Sequence, residues 1–213
     1  MLKKTLWDWV DVRVDEYRLV HPKLISSLVM IAAAGVSAIV AITYARLIEW
    51  ATSCMIILAT QYRWYFLFLS PIFMASASAW ALVRYFSPEA AGSGIPQVLA
   101  EIERASSRPR TRRSALQNLK LIAVKIVSST LAVFGGGVVG REGPTIQISA
   151  AIFEMFDGLF KKYVSSHRSR ETLLIAGGGA GLAAAFNTPL GVLSLLSKSS
   201  QVSILKTSRA FSY

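Results

Sequence analysis

The feature that most limits how this chain can fold is an apolar stretch, Leu24 to Ala45, with no charged residue over 22 positions. About 20 consecutive apolar residues cross the hydrocarbon core of a bilayer as a helix. A second uncharged run, Trp64 to Val83, covers 20 residues and carries tryptophan near both ends, as is typical where helices meet the membrane surface. The two runs predict transmembrane helices in an all-α, polytopic protein that lies in a lipid bilayer.

Composition and charge placement favour a membrane protein over a nucleic-acid-binding one. Of the 213 residues 53% are hydrophobic and 16% charged, and the formal net charge is +11; soluble domains carry about 25% charged residues. The basic residues stand in short stretches between the apolar runs, the largest being Arg104, Arg108, Arg110, Arg112 and Arg113. Such loops are typically cytoplasmic. We therefore expect a cytoplasmic N-terminus, a location in the plasma (inner) membrane, and no nucleic-acid partner.

The chain ahead of the first apolar run differs from the rest in mixing aromatic and charged residues. Residues 1–23 combine tryptophan and tyrosine with lysine and arginine, which predicts an amphipathic helix on the cytoplasmic membrane surface. A frayed terminal tail is the alternative. With one cysteine, Cys54, and only two histidines, His21 and His167, the sequence offers neither a disulfide nor the spacing of a metal site. We expect no metal and no cofactor.

The chemistry of the chain is concentrated in a glycine-rich stretch, Gly135 to Thr145, that holds a single carboxylate, Glu142, in apolar surroundings. Pro144 suits the first turn of a helix, and we predict that helix over residues 145–160. Its N-terminus would offer free N–H groups and the positive end of the helix dipole, which together form an anion site. Glu142 is a candidate gate, charged when it occupies that site and protonated or swung away when it leaves. The alternative is a loop carboxylate paired with Arg141.

A second stretch, Gly92 to Gln97, follows the same pattern of glycines and a proline that opens a helix, here predicted over residues 96–104. Ser93 places a hydroxyl at the start of that helix. A hydroxyl and free N–H groups can replace part of a halide's water without binding it too tightly to release. The structural alternative is that Ser93 is an ordinary N-cap.

The apolar run from Thr172 to Ser197 is interrupted by glycines from Gly177 to Gly181 and by Asn187–Thr188–Pro189. Apolar segments interrupted in this way are typical of broken helices around a binding site within the membrane. We therefore predict broken and re-entrant helices in this part of the chain.

Two glycine patterns could be mistaken for a nucleotide-binding turn. Residues 135–140 match G-x-G-x-x-G and residues 179–184 match G-x-G-x-x-A. A dinucleotide site also needs a preceding strand and an acidic residue about 20 positions later. Neither pattern has that setting, and no nucleophile stands beside a base. We therefore expect no enzymatic activity.

Three strings, read in order, identify a family. Gly92-Ser93-Gly94-Ile95-Pro96, Gly140-Arg141-Glu142-Gly143-Pro144 and Ala184-Ala185-Phe186-Asn187-Thr188-Pro189-Leu190-Gly191 together resemble the chloride channel and chloride–proton antiporter (CLC) family. The resemblance covers roughly residues 24–191. It implies chloride transport by a channel or by an H⁺/Cl⁻ antiporter, a fold of inverted repeats, and a homodimer with one ion path per subunit.

The resemblance also implies roles for individual residues. Ser93 would be the central chloride ligand, and Glu142 would be the gate and, in an antiporter, the outer proton carrier. The chloride-binding set it implies is Gly92, Ser93, Gly94, Ile95, Arg141, Glu142 and Gly143. Gln97 departs from the glutamate that the family often has at this position.

The end of the chain departs from the family pattern. Relatives continue after the Pro-Leu-Gly turn with an Ala-Ile-Glu-Glu-like string and a second half, whereas residues 192–213 are serine-rich and basic. Codons for Ser194 to Ser203 can be chosen that read Val-Ala-Ile-Glu-Glu-Phe-Ser-Ser-Phe one frame over, so we hypothesise a tail read out of frame. We accordingly divide the chain into a cytoplasmic segment (1–23), the N-terminal half of a CLC-type membrane domain (24–191), truncated to about the first inverted repeat, and an atypical tail (192–213). The alternative function is a membrane fragment that transports nothing.

Overall fold

The computed structural model of the chain describes residues 22–61, 71–107, 113–160 and 169–186. Almost all of the predicted cytoplasmic segment, the whole of the atypical tail and the Asn187–Gly191 turn lie outside the described residues. The described residues lie between these ends and include both candidate site stretches.

The described part of the chain is built from helices, as the apolar runs predicted. It contains α1 (Pro22–Gln61), α2 (Pro71–Phe86), a short 3-10 turn (Pro88–Ala90), α3 (Ile95–Ser107), α4 (Ala115–Phe134), α5 (Glu142–Leu159) and α6 (Arg170–Phe186). Two stretches of these helices, Ser26–Leu58 and Ala115–Phe134, are long and apolar enough to cross a membrane.

Helix α1 is longer than the sequence predicted. The uncharged run that predicted it ends at Ala45, but the helix continues to Gln61 and has 40 residues. The polar side chains of this second part form their hydrogen bonds within the helix, since the hydroxyls of Thr52, Ser53 and Thr60 all donate to carbonyl oxygens one turn back. At 1.5 Å per residue α1 is about 60 Å long, roughly twice the hydrocarbon thickness of a bilayer.

Helix α5 is the centre of the packing. Its residues from Gly143 to Glu154 are all buried, and it contacts α1, α3, α4 and α6. Isoleucines of α5 join Tyr44 of α1 and Leu121 of α4 in the largest apolar cluster. A helix buried on every side keeps a fixed position, because its neighbours leave no free face along which it could shift.

Helix α6 runs without interruption through the glycines where we predicted a break. That prediction was wrong for residues 177–181, because the glycines serve close packing and not chain reversal. A Cβ on Gly177 would lie 2.8 Å from Ala150 Cα, and one on Gly181 would lie 2.8 Å from Ile146 Cα. Gly177 and Gly181 are one helical turn apart, which is the small-xxx-small spacing that lets two membrane helices touch along their backbones.

The two nucleotide-like glycine patterns also lie in helical surroundings. The first follows α4, which ends at Phe134, and the second lies inside α6. A dinucleotide turn must follow a strand, so both patterns are coincidental, as we expected.

Candidate functional site

The two glycine–proline stretches, 50 residues apart in the chain, meet in the structure. A Cβ added to Gly143 would lie 2.3 Å from the carbonyl oxygen of Ser93, and one added to Gly94 would lie 2.6 Å from the carbonyl oxygen of Gly143. Gly94 directly precedes α3, and Gly143 is the second residue of α5. The N-termini of α3 and α5, each the positive end of a helix dipole, therefore converge. We call this place the α3–α5 junction, defined by residues 92–95 and 141–143.

The Ser93 turn is held in shape by one side chain. Gln97 Oε1 accepts from the Gly94 N–H at 2.9 Å, and Gln97 Nε2 donates to the Ala91 carbonyl at 2.7 Å. Gly92 and Gly94 have φ of +76° and +104°, a backbone region that favours glycine. From its position at the start of α3, the Gln97 side chain therefore holds the Ser93 turn closed with two hydrogen bonds.

The N-cap position of α3 belongs to Gly94, not to Ser93. The Gly94 carbonyl accepts the first helical bond, from the Val98 N–H at 3.1 Å, and Ile95 is the first helical residue. Ser93 is exposed, and its hydroxyl has no hydrogen-bond partner within the described ranges. The interpretation of Ser93 as an ordinary N-cap is therefore wrong, and its hydroxyl is available at the junction.

A buried lysine supports the Ser93 turn from behind. Lys125, in the middle of α4, is 2% exposed. Its Nζ donates to the Gly92 carbonyl at 2.6 Å and to the Ala90 carbonyl at 2.9 Å. The ammonium neutralises the acceptor side of the turn, and so the positive potential at the junction is increased without a cationic side chain in direct contact with Ser93.

Helix α5 begins at Glu142, three residues earlier than predicted. The first helical bond runs from the Thr145 N–H to the Arg141 carbonyl at 3.2 Å, so Pro144 is the third helical residue and not the first. Proline is tolerated there because the first N–H groups of a helix have no intrahelical acceptor. Glu142 is thus part of the helix N-terminus, and its own N–H belongs to the unpaired first turn.

The Glu142 carboxylate lies beside Gly140 and is not paired with Arg141. Glu142 is half-buried, and a Cβ on Gly140 would lie 3.0 Å from its Oε2. Glu142 also interacts electrostatically with Tyr44 of α1. The Arg141 guanidinium instead contacts Glu49 Oε1 at 3.3 Å. The alternative of a Glu142–Arg141 pair is therefore wrong.

The opposite end of α5 carries a second polar cluster. Glu154, three turns or about 18 Å along α5 from Glu142, accepts from Arg170 Nε at 2.6 Å. Arg170 also contacts Glu101, which contacts Arg113 in turn, and Arg113 Nε lies 2.9 Å from Glu89 Oε2. We call these five residues the ion-pair network.

The ion-pair network closes one side of a cavity of about 560 Å³. Six charged side chains line this cavity: Glu89, Glu101, Arg104, Arg113, Lys120 and Arg170. Burial lowers the pKa of Arg170, but its hydrogen bonds and charge interactions with Glu154 and Glu101 outweigh burial and raise that pKa above its ordinary value. Arg170 therefore stays charged at any physiological pH.

The α3–α5 junction combines the elements of a weak anion site. It offers two helix N-termini, the Ser93 hydroxyl and first-turn N–H groups, with Lys125 held one layer behind. Such neutral or partial charges suit an ion that must be released quickly. Of the seven predicted residues, Ser93, Gly94 and Gly143 meet through backbone atoms. Gly92 and Ile95 flank them, Glu142 is the first residue of α5 beside Gly143, and the Arg141 side chain turns away toward Glu49.

The sequence reasoning missed three residues around this junction. Lys125 was not among the candidate site residues, although a charge in the middle of a membrane helix is by itself a functional signal. Gln97 was noted only as a departure from the family pattern, yet its position next to Pro96 in the first turn of α3 lets it reach back to the turn. Tyr44 gave no local signal, because only the fold brings α1 to Glu142.

The sequence matches a family model and several curated relatives. A family model described as "Voltage gated chloride channel" matches residues 74–197. The chain is 35% identical over 167 residues to an H(+)/Cl(-) exchange transporter ClcA of Citrobacter koseri, covering 76% of this chain and 33% of the relative. It is 42% identical over 127 residues to the ClcA transporter of Vibrio cholerae, covering 60% of this chain and 25% of the relative. The chain thus spans about a third or less of these relatives' length.

Proposed function

Because the chain belongs to the voltage-gated chloride channel family and is an integral membrane protein, we propose that it carries the anion site of a chloride transporter. The proposal rests on one observation: the N-termini of α3 and α5 meet through Gly94 and Gly143, with Ser93 and Glu142 at their junction. The relatives' name, H(+)/Cl(-) exchange transporter, supports an antiporter that exchanges protons for chloride.

Ser93 is the chloride ligand in this proposal. Its hydroxyl is exposed and not used as a cap, while the Gly94 N–H is already bonded to Gln97. The chloride contacts at the turn therefore come from the Ser93 hydroxyl, and Gly92, Gly94 and Ile95 act through the shape of the turn and the dipole of α3. Arg141 contributes its backbone, since its side chain is paired with Glu49.

Glu142 is the gate. In its charged form the carboxylate competes with chloride for the N–H groups of Glu142 and Gly143 at the start of α5. Protonation removes that attraction, so the side chain leaves the site and chloride enters. In an antiporter the same protonation step carries the transported proton. The half-buried side chain beside Gly140 has room to turn, because Gly140 has no Cβ.

In this proposal the large charged cavity lies at the cytoplasmic face of the protein. Arg104, Arg113, Lys120 and Arg170 come from four separate places in the chain and line one cavity. The positive-inside rule favours a cytoplasmic location for such a cluster. With two membrane spans ahead of it, the N-terminus is on the same side in this proposal, and the membrane is the plasma (inner) membrane. The complete transporter is a homodimer in this proposal, as its family resemblance implies.

Chloride efflux from proteoliposomes tests the proposal. The purified chain is reconstituted with a potassium ionophore to balance charge, and chloride release is followed with an ion-selective electrode. We expect Ser93→Ala to slow efflux, whereas Ser78→Ala, a change at an exposed serine of α2, leaves it unchanged. We expect Glu142→Gln to remove the dependence of efflux on pH, with Glu103→Gln as the matched control on α3.

Equal efflux in the Ser93→Ala and Ser78→Ala proteins would refute the role of Ser93. No efflux from the unaltered chain, with efflux restored by neither variant, would favour the alternative of a membrane fragment that does not transport by itself. If the unaltered chain gives no efflux, chloride binding to the junction can still be measured by isothermal titration. The site assignment is then tested separately from transport.

A further inference from the structure

The cavity of about 560 Å³ beside the ion-pair network has more cations than carboxylates in its lining. The two carboxylates are those of Glu89 and Glu101, and the four cations are Arg104, Arg113, Lys120 and Arg170. Both carboxylates are already in contact with arginines of the network. Neither Arg104 nor Lys120 contacts an acidic side chain within the described residues. These two residues therefore bring uncompensated positive charge to the cavity.

The two cations without an acidic partner can be reached from outside the protein. Arg104, in the last turn of α3, and Lys120, in the second turn of α4, are both exposed. Gln117 adds a neutral donor to the same lining. Its Oε1 accepts from the Ser114 N–H at 2.9 Å, so its NH₂ group remains to donate to a ligand. The cavity thus offers positive charge and N–H donors to a molecule that enters it.

This combination selects an anion with several acceptor oxygens. A guanidinium presents its donors in a planar fork that suits a phosphate group, while an ammonium acts as a point charge. Sites for organic ligands have volumes of roughly 300–1,000 Å³, and the cavity falls in that range, far larger than a chloride ion needs. We propose that the cavity binds a phosphate-bearing anion, a phospholipid head group or a soluble phosphate ester, through Arg104 and Lys120.

The surroundings of the cavity favour a phospholipid as the source of the phosphate. Phe86 lines the cavity at the end of α2, and it is more than half exposed, as are Trp80 and Tyr85 before it. Exposed aromatic side chains are typical where membrane helices meet lipid head groups. On α4, Leu116 and Leu119 are also more than half exposed, which gives acyl chains an apolar surface beside the charged lining. Basic pockets between membrane helices on the cytoplasmic side bind anionic head groups.

Binding to the purified full chain in a nonionic detergent tests the proposal. Phosphatidylglycerol in mixed micelles supplies an anionic lipid, phosphatidylcholine is the control without net charge, and glycerol phosphate is the soluble probe. Affinity is taken from the rise of the thermal unfolding midpoint with probe concentration. We expect phosphatidylglycerol to bind about 25-fold more tightly than phosphatidylcholine, about fivefold for each cation. Binding of glycerol phosphate instead would identify a soluble ligand. If neither probe bound more tightly than phosphatidylcholine, the proposal would be overturned.

A matched pair of variants separates this cavity from general attraction to a basic protein. We expect Arg104→Gln and Lys120→Gln each to weaken binding about fivefold. Arg84→Gln is the control, because Arg84 is exposed in the last turn of α2 but does not line the cavity. An equal loss in Arg84→Gln and Arg104→Gln would overturn the assignment to the cavity.

The test stands even if a variant fails to fold. The preference of the unaltered chain for phosphatidylglycerol over phosphatidylcholine then decides. The site lies outside the α3–α5 junction, whose residues are not in the cavity lining, so a negative result leaves the proposed chloride site untouched.

Discussion

The carbonyl oxygen of Ser93 lies against the α-carbon of Gly143 so closely that a methyl group there would stand 2.3 Å from it. The contact joins two turns that are 50 residues apart and sets the distance between two helix N-termini. Because both partners are backbone atoms, the contact does not use the Ser93 hydroxyl or the Glu142 carboxylate.

Adding a methyl group at this contact is expected to separate the two turns. Gly143→Ala places a Cβ against Ser93 O, and Gly94→Ala adds strain because Gly94 has φ of +104°. Overpacking of this kind costs about 1–3 kcal/mol. We expect a lower thermal unfolding midpoint in detergent for both variants and slower chloride efflux. Gly158→Ala, with nothing within 4 Å of its Cβ, is the control and gains about 0.5–1 kcal/mol.

The packing of α6 on α5 makes a second prediction with a control in the same helix. Gly177→Ala and Gly181→Ala each push a methyl group to within 2.8 Å of a backbone carbon of α5, so we expect a loss of about 1–3 kcal/mol of stability. Gly178→Ala meets only side-chain carbons at 3.8 Å and should be neutral or stabilising. Equal unfolding midpoints for Gly177→Ala and Gly178→Ala would contradict the backbone contact.

Loss of the buried lysine is expected to weaken the Ser93 turn. Lys125→Met leaves the Ala90 and Gly92 carbonyls without their donor, at a cost of about 1–3 kcal/mol. The positive potential behind the junction falls as well, so chloride affinity measured by titration calorimetry should decrease. Lys120→Met is the comparison, because Lys120 is exposed and lies over the Phe86 ring at 5.7 Å, an interaction of about 0.5–1 kcal/mol. Similar losses in the two variants would count against a special role for Lys125.

Breaking the ion-pair network should destabilise the chain far more than breaking a surface pair. Arg170→Met leaves the buried Glu154 without its cation, and removing one partner of a buried pair costs about 3–5 kcal/mol. Arg46→Met, which breaks an exposed pair with Glu49 at 3.7 Å, should cost less than about 1 kcal/mol. Chemical unfolding of both variants in the same detergent gives the comparison, and equal midpoints would show that Glu154 finds another partner.

The contribution of Arg170 to stability should not change with pH in the range of ordinary measurements. A group whose pKa is raised by folding stabilises the protein fully below its unfolded pKa, and the effect is lost only as pH rises through the folded pKa. For Arg170 the ordinary pKa already lies far above physiological pH, and folding raises it further. The difference in unfolding midpoint between the unaltered chain and Arg170→Met should therefore be constant from about pH 7 to pH 9, where carboxylates are ionised.

The helical architecture and the two site stretches could be predicted from the sequence, because they depend on local patterns. Uncharged runs indicated α1 and the described part of the second span, α2, and glycine followed by proline indicated the starts of α3 and α5. A helix N-terminus at each of the two stretches could also be expected. The meeting of the two turns remained a matter of resemblance until the fold placed Gly94 on Gly143.

The errors arose where a residue's role depends on what it packs against. Glycines 177–181 have a high intrinsic tendency to interrupt a helix, and only the approach of Ala150 and Ile146 explains why α6 continues. In the same way, Lys125 and Gln97 bond to carbonyl and N–H groups of the main chain. Every residue has such groups, so the sequence does not show which of them will be the partners. The end of α1 was misplaced because Arg46 and Glu49 are compatible with helix as well as with loop.

Helix α5 is pinned at three places: by Gly143 against the Ser93 turn, by Gly177 and Gly181 along α6, and by Arg170 at Glu154. If α5 slid or tilted, its neighbours would have to move with it, because the backbone contacts at these glycines leave no free space. In the proposed mechanism, opening and closing at the junction therefore require only the rotation of the Glu142 carboxylate about three bonds, a step that can be made and reversed quickly while the helices stay in place.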